Sequence, residues 1–485
     1  MSDIYAILKE AGFEATIGLE VHVQLNTATK IFSSDENGMS EEPNSHISAI
    51  SLGLPGSLPV LNKNAVEKAI QFGLAVGSQI NSKICFDRKS YFYPDLPKGY
   101  QTTQDKAPIC LGGIVEAYSE YWKGETVQVH HTHLEEDAGK SSHDGEFTDV
   151  DLNRAGSPLI EIVTEPCIKS GKVAAAFLQE IRRIVRFLNI GEANMERGEL
   201  RCDANISIKR IESEILGSKV EIKNMNSFSH VRKAVDFELE RQFGLINAGE
   251  TVTVETRTYD PDKAATFGMR FKETLNDYRY FPCPDLPPVL IPKEEIDQVK
   301  SVLKPFPSQV RKTLRSKYDL PEADIAFLCA DIETAEFALA LFEVSKDFKK
   351  ANNWMKGIVR AHCVSQNIGI HEFPRSINDL AQLINMETEG DLTRVAAQEV
   401  FIAFVDSDLT ANQIAEAKGL LSKNDQGELE RIVSEVLLSL PQEVEKYQKG
   451  KKQLFGLFMG EVMKKGGKSL NPKQIQEVLR KELSK

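Results

Sequence analysis

The sequence predicts an α+β protein in which an N-terminal antiparallel-sheet cradle domain with flanking helices is followed by an all-α helical domain and a small all-α tail domain. Residues 1 to about 290 form short segments of alternating polarity separated by Pro and Gly. From about residue 295 this alternation gives way to helical patterns, as in residues 324–348 and 429–438. We predict domains at residues 1–294, 295–410 and 411–485, with boundaries near Pro292 and at residues 407–410.

Two amphipathic helices are predicted within the cradle domain. In residues 172–190, Val173, Phe177 and Ile181 fall on one face, and a glycine follows the last turn. Residues 226–248 behave in the same way. The strands around these helices are apolar on one face only, which is typical of an antiparallel sheet.

The composition is that of an ordinary globular protein. Of 485 residues, 41% are hydrophobic and 27% are charged, so a large core can be buried. No apolar run approaches the roughly 20 residues that span a bilayer, so no membrane partner is predicted. The seven cysteines are scattered and never form a Cys-x-x-Cys pair. This usage favours a reducing compartment, and we predict a cytoplasmic protein.

Charge is distributed unevenly along the chain. The formal net charge is −12, yet residues 446–485 contain eleven Lys and Arg against three Glu. A basic segment on an acidic chain is typical of a module that binds a polyanion. A solvated helical surface would have the same composition.

One predicted strand has a distinctive polar face. Residues 15–25 alternate, which places the apolar side chains on one face and Glu20, His22 and Gln24 on the other. These three side chains are then about 7 Å apart in a row. For a single strand, an exposed solvent face is the simplest interpretation.

The pattern recurs in two further segments. Residues 200–208 place Arg201, Asp203 and Asn205 on one side, and residues 219–223 repeat the alternation. The polar positions hold residue types that are common in ligand and metal sites. Three such strands therefore favour a cradle with one polar working face over a decorated surface.

Further acids accompany this polar face. Glu135, Glu136 and Asp137 are consecutive at the end of a β-like segment, and Glu161 lies inside an apolar strand. Because an unpaired buried carboxylate is costly, we expect Glu161 to face a cation, a metal or a partner such as Arg154. Carboxylates combined with His22 favour Mg²⁺ or Mn²⁺ over zinc.

Common nucleotide and nucleophile motifs do not occur in the sequence. Gly139-Lys-Ser matches the end of a P-loop, but Leu134 occupies the position of the first glycine and acids fill the loop. Neither Gly-x-Gly-x-x-Gly nor Gly-x-Ser-x-Gly occurs. His131 and His133, two residues apart, are only a weak zinc signal.

Long, ordered motifs occur along the chain: Ile17-Gly-Leu-Glu-Val-His-Val-Gln, Leu52-Gly-Leu-Pro-Gly-Ser-Leu-Pro, Asp87-Arg-Lys-Ser-Tyr-Phe-Tyr-Pro, His133-Leu-Glu-Glu-Asp-Ala-Gly-Lys-Ser, Asp151-Leu-Asn-Arg-Ala-Gly-Ser-Pro, Glu199-Leu-Arg-Cys-Asp-Ala-Asn and Asp277-Tyr-Arg-Tyr-Phe-Pro. Together they resemble the B subunit of the glutamyl/aspartyl-tRNA amidotransferases (GatB). The resemblance extends nearly from end to end.

The resemblance implies a function. GatB acts on aminoacyl-tRNA in a heterotrimer with an amidase, which is the A component, and a small C component. It uses ATP and Mg²⁺ to phosphorylate the side-chain carboxylate of Glu-tRNA(Gln) or Asp-tRNA(Asn), and ammonia from the amidase then displaces the phosphate. The implied enzyme is a glutamine-hydrolysing ligase that forms a carbon–nitrogen bond. The helical and tail domains are expected to contact tRNA.

The resemblance also implies roles for individual residues. His22, Glu136 and Glu161 match the positions expected to bind Mg²⁺, with Glu20 nearby as a further catalytic residue. Lys89, Arg154, Arg201 and Lys223 are expected to neutralise phosphate or hold the tRNA 3′ end. Asp203, Asn205 and Asn224 are expected to position the aminoacyl group.

The chain departs from some family members at a zinc site. Those members carry cysteine pairs where this sequence has Ser48 and Ser51, and the upstream segment is Phe32-Ser-Ser-Asp. Serine cannot replace a thiolate ligand of zinc. We therefore predict no structural zinc, and expect the loop from Ser33 to Ser51 either to be held by other contacts or to be mobile.

Two other functional classes account for parts of this pattern. A tRNA-binding scaffold without chemistry would explain the basic tail but not the clustered acids and histidine. A metal-dependent hydrolase of a small phosphate ester would explain the acids but not the tail. ATP turnover separates the three classes, because only a tRNA-dependent kinase requires both substrates.

Overall fold

The structure, a computed structural model, describes residues 4–38, 40–119, 122–269, 278–422, 426–466 and 472–483. The chain divides into two compact units, residues 1–312 and 313–485. A sheet with helices makes up the first unit and helices make up the second, so the α+β class is confirmed. The three-domain division with boundaries near 294 and 410 remains a prediction.

The strand segments predicted from the sequence correspond to β1, β8, β11, β12 and β13 of the first unit. Their bounds are β1 Phe13–Gln24, β2 Gln79–Ile80, β3 Lys83–Ile84, β4 Asp87–Ser90, β5 Tyr100–Thr103, β6 Cys110–Leu111, β7 Ile114–Ser119, β8 Trp122–Glu136, β9 Lys140–Asp144, β10 Phe147–Asp151, β11 Pro158–Thr164, β12 Leu200–Arg210, β13 Val220–Lys223, β14 Glu255–Asp260, β15 Ala265–Gly268, β16 Phe281–Pro282 and β17 Val289–Leu290.

The helices of the first unit are α1 Ile4–Glu10, α2 Lys63–Val76, α3 Gly171–Phe187, α4 Phe228–Asn247, α5 Lys293–Ser301 and α6 Pro307–Ser316, the last of which continues into the second unit. The two amphipathic helices predicted from the sequence correspond to α3 and α4. Each begins at a serine cap, because Ser170 accepts a hydrogen bond from the Val173 amide and Ser227 accepts one from the His230 amide.

The largest sheet determines where the site lies. Its strand order is β15-β14-β13-β12-β1-β11-β8-β6-β2, and β7 also pairs with β8. Strands β13 and β14 run parallel, whereas the other pairs are antiparallel. Helix α4 connects the parallel pair, as such a crossover requires. The antiparallel prediction is therefore correct for all pairs of this sheet but one.

The central strand β1 separates the core from the polar face. Ile17, Leu19 and Val21 are at most 1% exposed and belong to the core cluster that α3 and α4 share. The period of two then turns Glu20 and His22 to the opposite face of the sheet. A separate three-stranded sheet of order β16-β4-β5, here called the small sheet, carries Lys89.

The regular structure of the second unit is helical in all of its described residues. Its helices are α7 Glu322–Leu328, α8 Ile332–Val344, α9 Phe348–Trp354, α10 Arg360–Gln366, α11 Ile377–Glu389, α12 Arg394–Phe404, α13 Ala411–Ala417, α14 Gln426–Ser439, α15 Pro441–Gln448, α16 Phe455–Gly466 and α17 Pro472–Leu483. A π-helical turn, Met355–Val359, joins α9 to α10, and 3₁₀ turns cover Ile370–Glu372 and Lys452–Leu454.

Two sequence predictions for this unit have different outcomes. Residues 324–348 were expected to be helical, but the segment contains a break between α7 and α8, where Asp331 caps α8 by accepting a hydrogen bond from the Thr334 amide. The helix predicted at 429–438 lies within α14. Helices α14, α16 and α17 share a core of their own that includes Val433, Phe458 and Leu479.

The basic segment 446–485 is described except for residues 467–471 and 484–485. Lys446, Lys449, Lys451 and Lys452 are exposed near the end of α15. No helix among the described residues is long and apolar enough to cross a membrane.

Candidate metal and phosphoryl-transfer site

Three side chains form a row across neighbouring strands on the polar face. His22 of β1 lies opposite Glu161 of β11, and Glu161 lies opposite His133 of β8. Two residues further along β8, the period of two turns Glu135 to the same face. Strand order and register therefore bring together residues that are more than a hundred positions apart in the sequence.

The cluster is compact enough to hold one divalent cation. His22 Nε2 lies 3.3 Å from Oε1 of Glu135 and 3.2 Å from Oε2 of Glu161. One ligand atom from each of these three residues lies within 4.8 Å of the other two. An imidazole nitrogen and two carboxylates are a suitable donor set for Mg²⁺ or Mn²⁺.

Burial makes the charges of this cluster interdependent. The side chain of Glu135 is 2% exposed and that of Glu161 is 13% exposed. Burial acts to lower the pKa of His22, but its hydrogen bonds and charge attraction to the two carboxylates raise it to about 10. Burial acts to raise the pKa of Glu135, but the bonds to His133 and His22 lower it to about 2. Burial also opposes the charge of Glu161, yet the same histidines hold its pKa well below the ordinary value.

His133 is the second imidazole against this carboxylate pair. Its Nε2 lies 3.2 Å from Oε2 of Glu161 and 3.7 Å from Oε2 of Glu135. Burial opposes the proton, yet the two carboxylates raise the pKa of His133 to about 9. The ring of His131 stacks on the ring of His133, with centroids 5.2 Å apart, and burial lowers the pKa of His131 to about 4.

Glu136 does not lie where the sequence analysis placed it. It was grouped with His22 and Glu161, but its carboxylate accepts hydrogen bonds from Lys98 Nζ and, at 2.8 Å, from the Thr102 amide. The reason is strand parity, since adjacent residues point to opposite faces. Glu135 occupies the position that was predicted for Glu136.

Glu20 and the residues from β12 and β13 extend the polar face. The side chain of Asn205 donates to Oε1 of Glu20 at 2.9 Å. Lys223 Nζ lies 2.7 Å from Oδ2 of Asp203 and 3.1 Å from Glu221. Burial and the nearby charge of Glu161 raise the pKa of Glu20.

Asp137 forms ion pairs with both arginines that were predicted to bind phosphate, Arg154 and Arg201. Arg201 lies 2.8 Å from Oδ2 of Asp137, and Arg154 Nε lies 3.6 Å from the same atom. Arg154 also donates to the Ala138 and Gly139 carbonyls. The sequence analysis left Arg154 open as a partner of Glu161, whereas the structure places two imidazoles there.

Lys89 approaches the cluster from the small sheet. Its Nζ lies 4.8 Å from the centroid of the Tyr278 ring. Burial acts to lower the pKa of Lys89, but the charges of Tyr280, Glu135 and Glu161 raise it. Asn224, predicted to position the aminoacyl group, donates to Thr258 Oγ1 at 3.0 Å.

Comparison with known proteins decides the family. Residues 15–297 match the family model described as the GatB/GatE catalytic domain, and residues 336–483 match the GatB domain. The chain belongs to the GatB family. It is 42% identical to the B subunit of the aspartyl/glutamyl-tRNA(Asn/Gln) amidotransferase of Picosynechococcus sp., covering 98% of each chain. The protein of the same name from Bdellovibrio bacteriovorus is 41% identical over 98% of this chain and 100% of its own.

The GatB catalytic-domain match contains the three-residue cluster and His133. The sequence analysis assigned neither Glu135 nor His133 to the metal site. Glu135 and His133 were both visible as members of one alternating series with His131. The series His131, His133, Glu135 has a period of two, and this signal would have selected Glu135 instead of Glu136.

The loop from Ser33 to Ser51, where the sequence analysis predicted no structural zinc, is organised by a carboxylate. Oδ2 of Asp35 accepts hydrogen bonds from the Ser48 amide at 3.1 Å, the Ser48 hydroxyl at 2.9 Å and the Ser51 hydroxyl. Lys30 adds a bond from its buried Nζ to the His46 carbonyl at 2.6 Å. These are the other contacts that the sequence analysis required.

Proposed function

We propose that this protein activates the side-chain carboxylate of Glu-tRNA(Gln) or Asp-tRNA(Asn) with ATP and presents it to ammonia, which gives Gln-tRNA(Gln) or Asn-tRNA(Asn). The observation that carries this proposal is the His22–Glu135–Glu161 cluster, in which Glu135 is buried and the other two side chains are half-buried, on the polar face of a GatB-family catalytic domain. Relatives over the full length are named as amidotransferase subunits acting on these aminoacyl-tRNAs.

His22, Glu135 and Glu161 would hold Mg²⁺, with ATP as the second cofactor. Such an ion neutralises the charge of phosphoryl oxygens and orients them. The two carboxylates, 2% and 13% exposed, would supply the negative charge that attracts the ion. This assignment replaces Glu136 of the sequence analysis with Glu135.

Cations of this chain would bind the phosphates of ATP and the tRNA 3′ end. Lys89 approaches the cluster from the small sheet. Arg201 and Lys223 lie on β12 and β13 of the large sheet, and Arg154 lies in the segment between β10 and β11. Each of the last three is paired with a carboxylate in the structure. Phosphate would therefore compete with Asp137 and Asp203 for these side chains.

Glu20 would act in the amide-forming step, in which ammonia displaces phosphate, by accepting a proton from the nitrogen. When the ammonia nitrogen bonds to the activated carbon and phosphate leaves, the nitrogen must lose a proton. The pKa of the Glu20 carboxyl is raised by burial, so this group can accept that proton close to neutral pH better than an exposed glutamate. The Asn205 side chain holds the carboxylate in place from β12.

The partners follow from the same proposal. Ammonia would come from a separate amidase, with a small third component completing a heterotrimer in the cytoplasm. The relatives are named as one lettered subunit of an amidotransferase, which supports such an assembly. The exposed lysines near the end of α15 would contact the tRNA backbone.

The test uses the chain assembled with its amidase partner. Glu-tRNA, ATP, Mg²⁺ and ammonium chloride are supplied, and phosphate release and Gln-tRNA formation are followed together. Both products should appear, and both should vanish when Mg²⁺ or tRNA is omitted. Gln-tRNA without phosphate release would refute the activation step and leave the chain as a scaffold that presents tRNA. Phosphate release without tRNA would favour a simple hydrolase.

A further inference from the structure

We propose that Tyr91, Tyr278 and Tyr280, here called the tyrosine face, bind the adenosine of a substrate by stacking against its base. This adenosine belongs either to ATP or to the 3′-terminal nucleotide of the aminoacyl-tRNA. The inference rests on the proposed function and goes beyond it, because it assigns a surface for the base, whereas the cation cluster and the phosphate-binding side chains act on charged groups.

The three rings are neighbours on two adjacent segments of the chain. Tyr91 follows β4, whereas Tyr278 and Tyr280 precede β16. The Ser90 amide donates to the Tyr278 carbonyl at 2.9 Å and so holds the two segments together. The centroid of the Tyr278 ring lies 6.1 Å from that of Tyr91 and 6.1 Å from that of Tyr280. The rings therefore form one continuous aromatic surface.

Part of the tyrosine face is open to a ligand. Tyr280 is 43% exposed, and Tyr91 and Tyr278 are half-buried. A row of partly exposed rings offers a large apolar area together with phenol hydroxyls, which matches the flat apolar base and polar sugar of a nucleoside. Nucleic-acid bases stack on such rings in many binding sites.

The charges around the tyrosine face favour a nucleoside that carries an anionic group. Nζ of Lys89 lies 4.8 Å from the centroid of the Tyr278 ring, and a lysine ammonium binds phosphate or carboxylate oxygens. Burial raises the pKa of Tyr280, which Lys89 partly offsets and Asp105 and Glu161 increase. The phenol is therefore a hydrogen-bond donor at neutral pH.

The tyrosine face is close to the carboxylate cluster. The charge of Glu161 acts on Tyr280, and the charges of Glu135 and Glu161 act on Lys89. In both candidate substrates the reacting group is attached to the ribose and lies several bonds away from the base. A base bound to the tyrosine face would therefore leave the triphosphate or the aminoacyl ester free to extend towards the cluster.

The other face of the small sheet provides a matched control. Arg88, next to Lys89 on β4, lies 4.1 Å from the centroid of the Tyr100 ring and 5.8 Å from that of Phe281. Because side chains alternate along a strand, this group lies on the side opposite to Lys89. Phe281 is as exposed as Tyr280, at 43%. It is therefore an exposed aromatic residue of the same segment that is expected to make no contact with the adenosine.

The experiment uses the full chain assembled with its partner subunits. The Kd of ATP and the Kd of Glu-tRNA are measured separately, together with kcat for Gln-tRNA formation from ammonium chloride. Tyr280→Leu should raise one of the two Kd values about 5- to 100-fold and leave kcat nearly unchanged. A weaker affinity for ATP assigns the face to the adenine of ATP, and a weaker affinity for Glu-tRNA assigns it to the terminal adenosine. Tyr280→Phe keeps the ring and should have the smaller effect.

Further variants separate the possible failures. Phe281→Leu should leave both Kd values unchanged. Unchanged Kd values in both Tyr280→Leu and Tyr278→Leu, or a loss of kcat alone, would overturn the inference. Dissociation of Tyr280→Leu from the partner subunits would also overturn it, because the face would then be a subunit contact. A wild type that binds both ligands but forms no Gln-tRNA would refute the proposed function, and the Kd values would still decide whether the tyrosine face binds adenosine.

Discussion

His22 and His133, on strands that flank β11, place their Nε2 atoms at the same distance, 3.2 Å, from Oε2 of Glu161. One carboxylate oxygen thus contacts two imidazole nitrogens, from histidines that are 111 positions apart in the sequence. This arrangement accounts for the opposite pKa shifts of His22 and His133 on one side and of Glu135 and Glu161 on the other.

Removal of His22 should abolish most of the amide-forming activity. His22→Ala deletes a nitrogen donor between two buried carboxylates, and losses of this kind cost about 100-fold or more in rate. The measurement is ATP-dependent Gln-tRNA formation with ammonium chloride. His143→Ala, in the exposed hairpin of β9 and β10, is the control and should retain full activity. Retention of most activity in His22→Ala would refute the metal assignment.

Adjacent glutamates of β8 should respond differently to the same substitution. Glu135→Gln removes a carboxylate from the cluster and should raise the Mg²⁺ concentration that gives half-maximal activity by about 10-fold or more. Glu136→Gln disturbs only the bonds to Lys98 and Thr102, so the Mg²⁺ requirement should stay unchanged while stability falls. A larger Mg²⁺ effect in Glu136→Gln would restore the assignment made from the sequence.

The metal-free cluster should give a characteristic dependence of stability on pH. The folded pKa of His22, about 10, is above its ordinary value of 6.5, so its stabilisation is complete below about pH 6.5 and is lost as the pH rises through 10. The pKa of Glu135 is lowered, so its stabilisation is present above about pH 4.5. The difference in unfolding free energy between wild type and His22→Gln, measured in chelator, should therefore decrease from pH 6 to pH 9. An increase over that range would contradict the proposed pairing.

The loop from Ser33 to Ser51 should depend on Asp35 and not on zinc. Asp35→Ala removes an ionised acceptor of three hydrogen bonds and should destabilise the loop locally by about 1–3 kcal/mol. Hydrogen exchange of the 47–57 amides would report this loss, and metal analysis of the wild type should find no stoichiometric zinc. Glu41→Ala, an exposed acid in the same loop, should leave the exchange unchanged.

The lysines at the end of α15 should contribute to tRNA affinity through charge alone. Replacing Lys446, Lys449, Lys451 and Lys452 by Gln should weaken binding at low salt. The slope of log affinity against log salt should flatten by about 0.7–0.9 for each phosphate that is no longer neutralised. Lys9→Gln combined with Lys172→Gln removes exposed charges from the first unit and serves as the control. An unchanged salt slope in the quadruple variant would place the tRNA interface elsewhere.

The sequence was sufficient for the polar row of β1 and for its partners on β12 and β13, because alternation within a strand is a local property. The prediction of helices α3 and α4 succeeded for the same reason. Glu136 was misplaced although the necessary signal was local. Counting in steps of two from His131 reaches Glu135, and the three consecutive acids concealed this parity.

Other features depended on contacts that no single segment encodes. The position of β11 between β1 and β8 decides that Glu161 meets His22 and His133. Lys89 lies on β4, which pairs with β16 nearly two hundred residues later in the chain, and it is close to the charges of Glu135 and Glu161. Asp35 organises its loop through hydroxyl groups whose spacing shows no recognisable motif.

The position of β1 has a consequence for how the site can fail. This strand is paired along one edge with β11 and along the other with β12, so the backbone at His22 is hydrogen-bonded to neighbouring strands on both sides. Local opening of β1 would expose two ladders and the core beneath them at once, and such segments exchange their amides only in the cooperative unfolding of the whole unit. A destabilising substitution in the core of the first unit, away from the polar face, should therefore reduce the fraction of folded, active molecules and leave the turnover of each folded molecule unchanged.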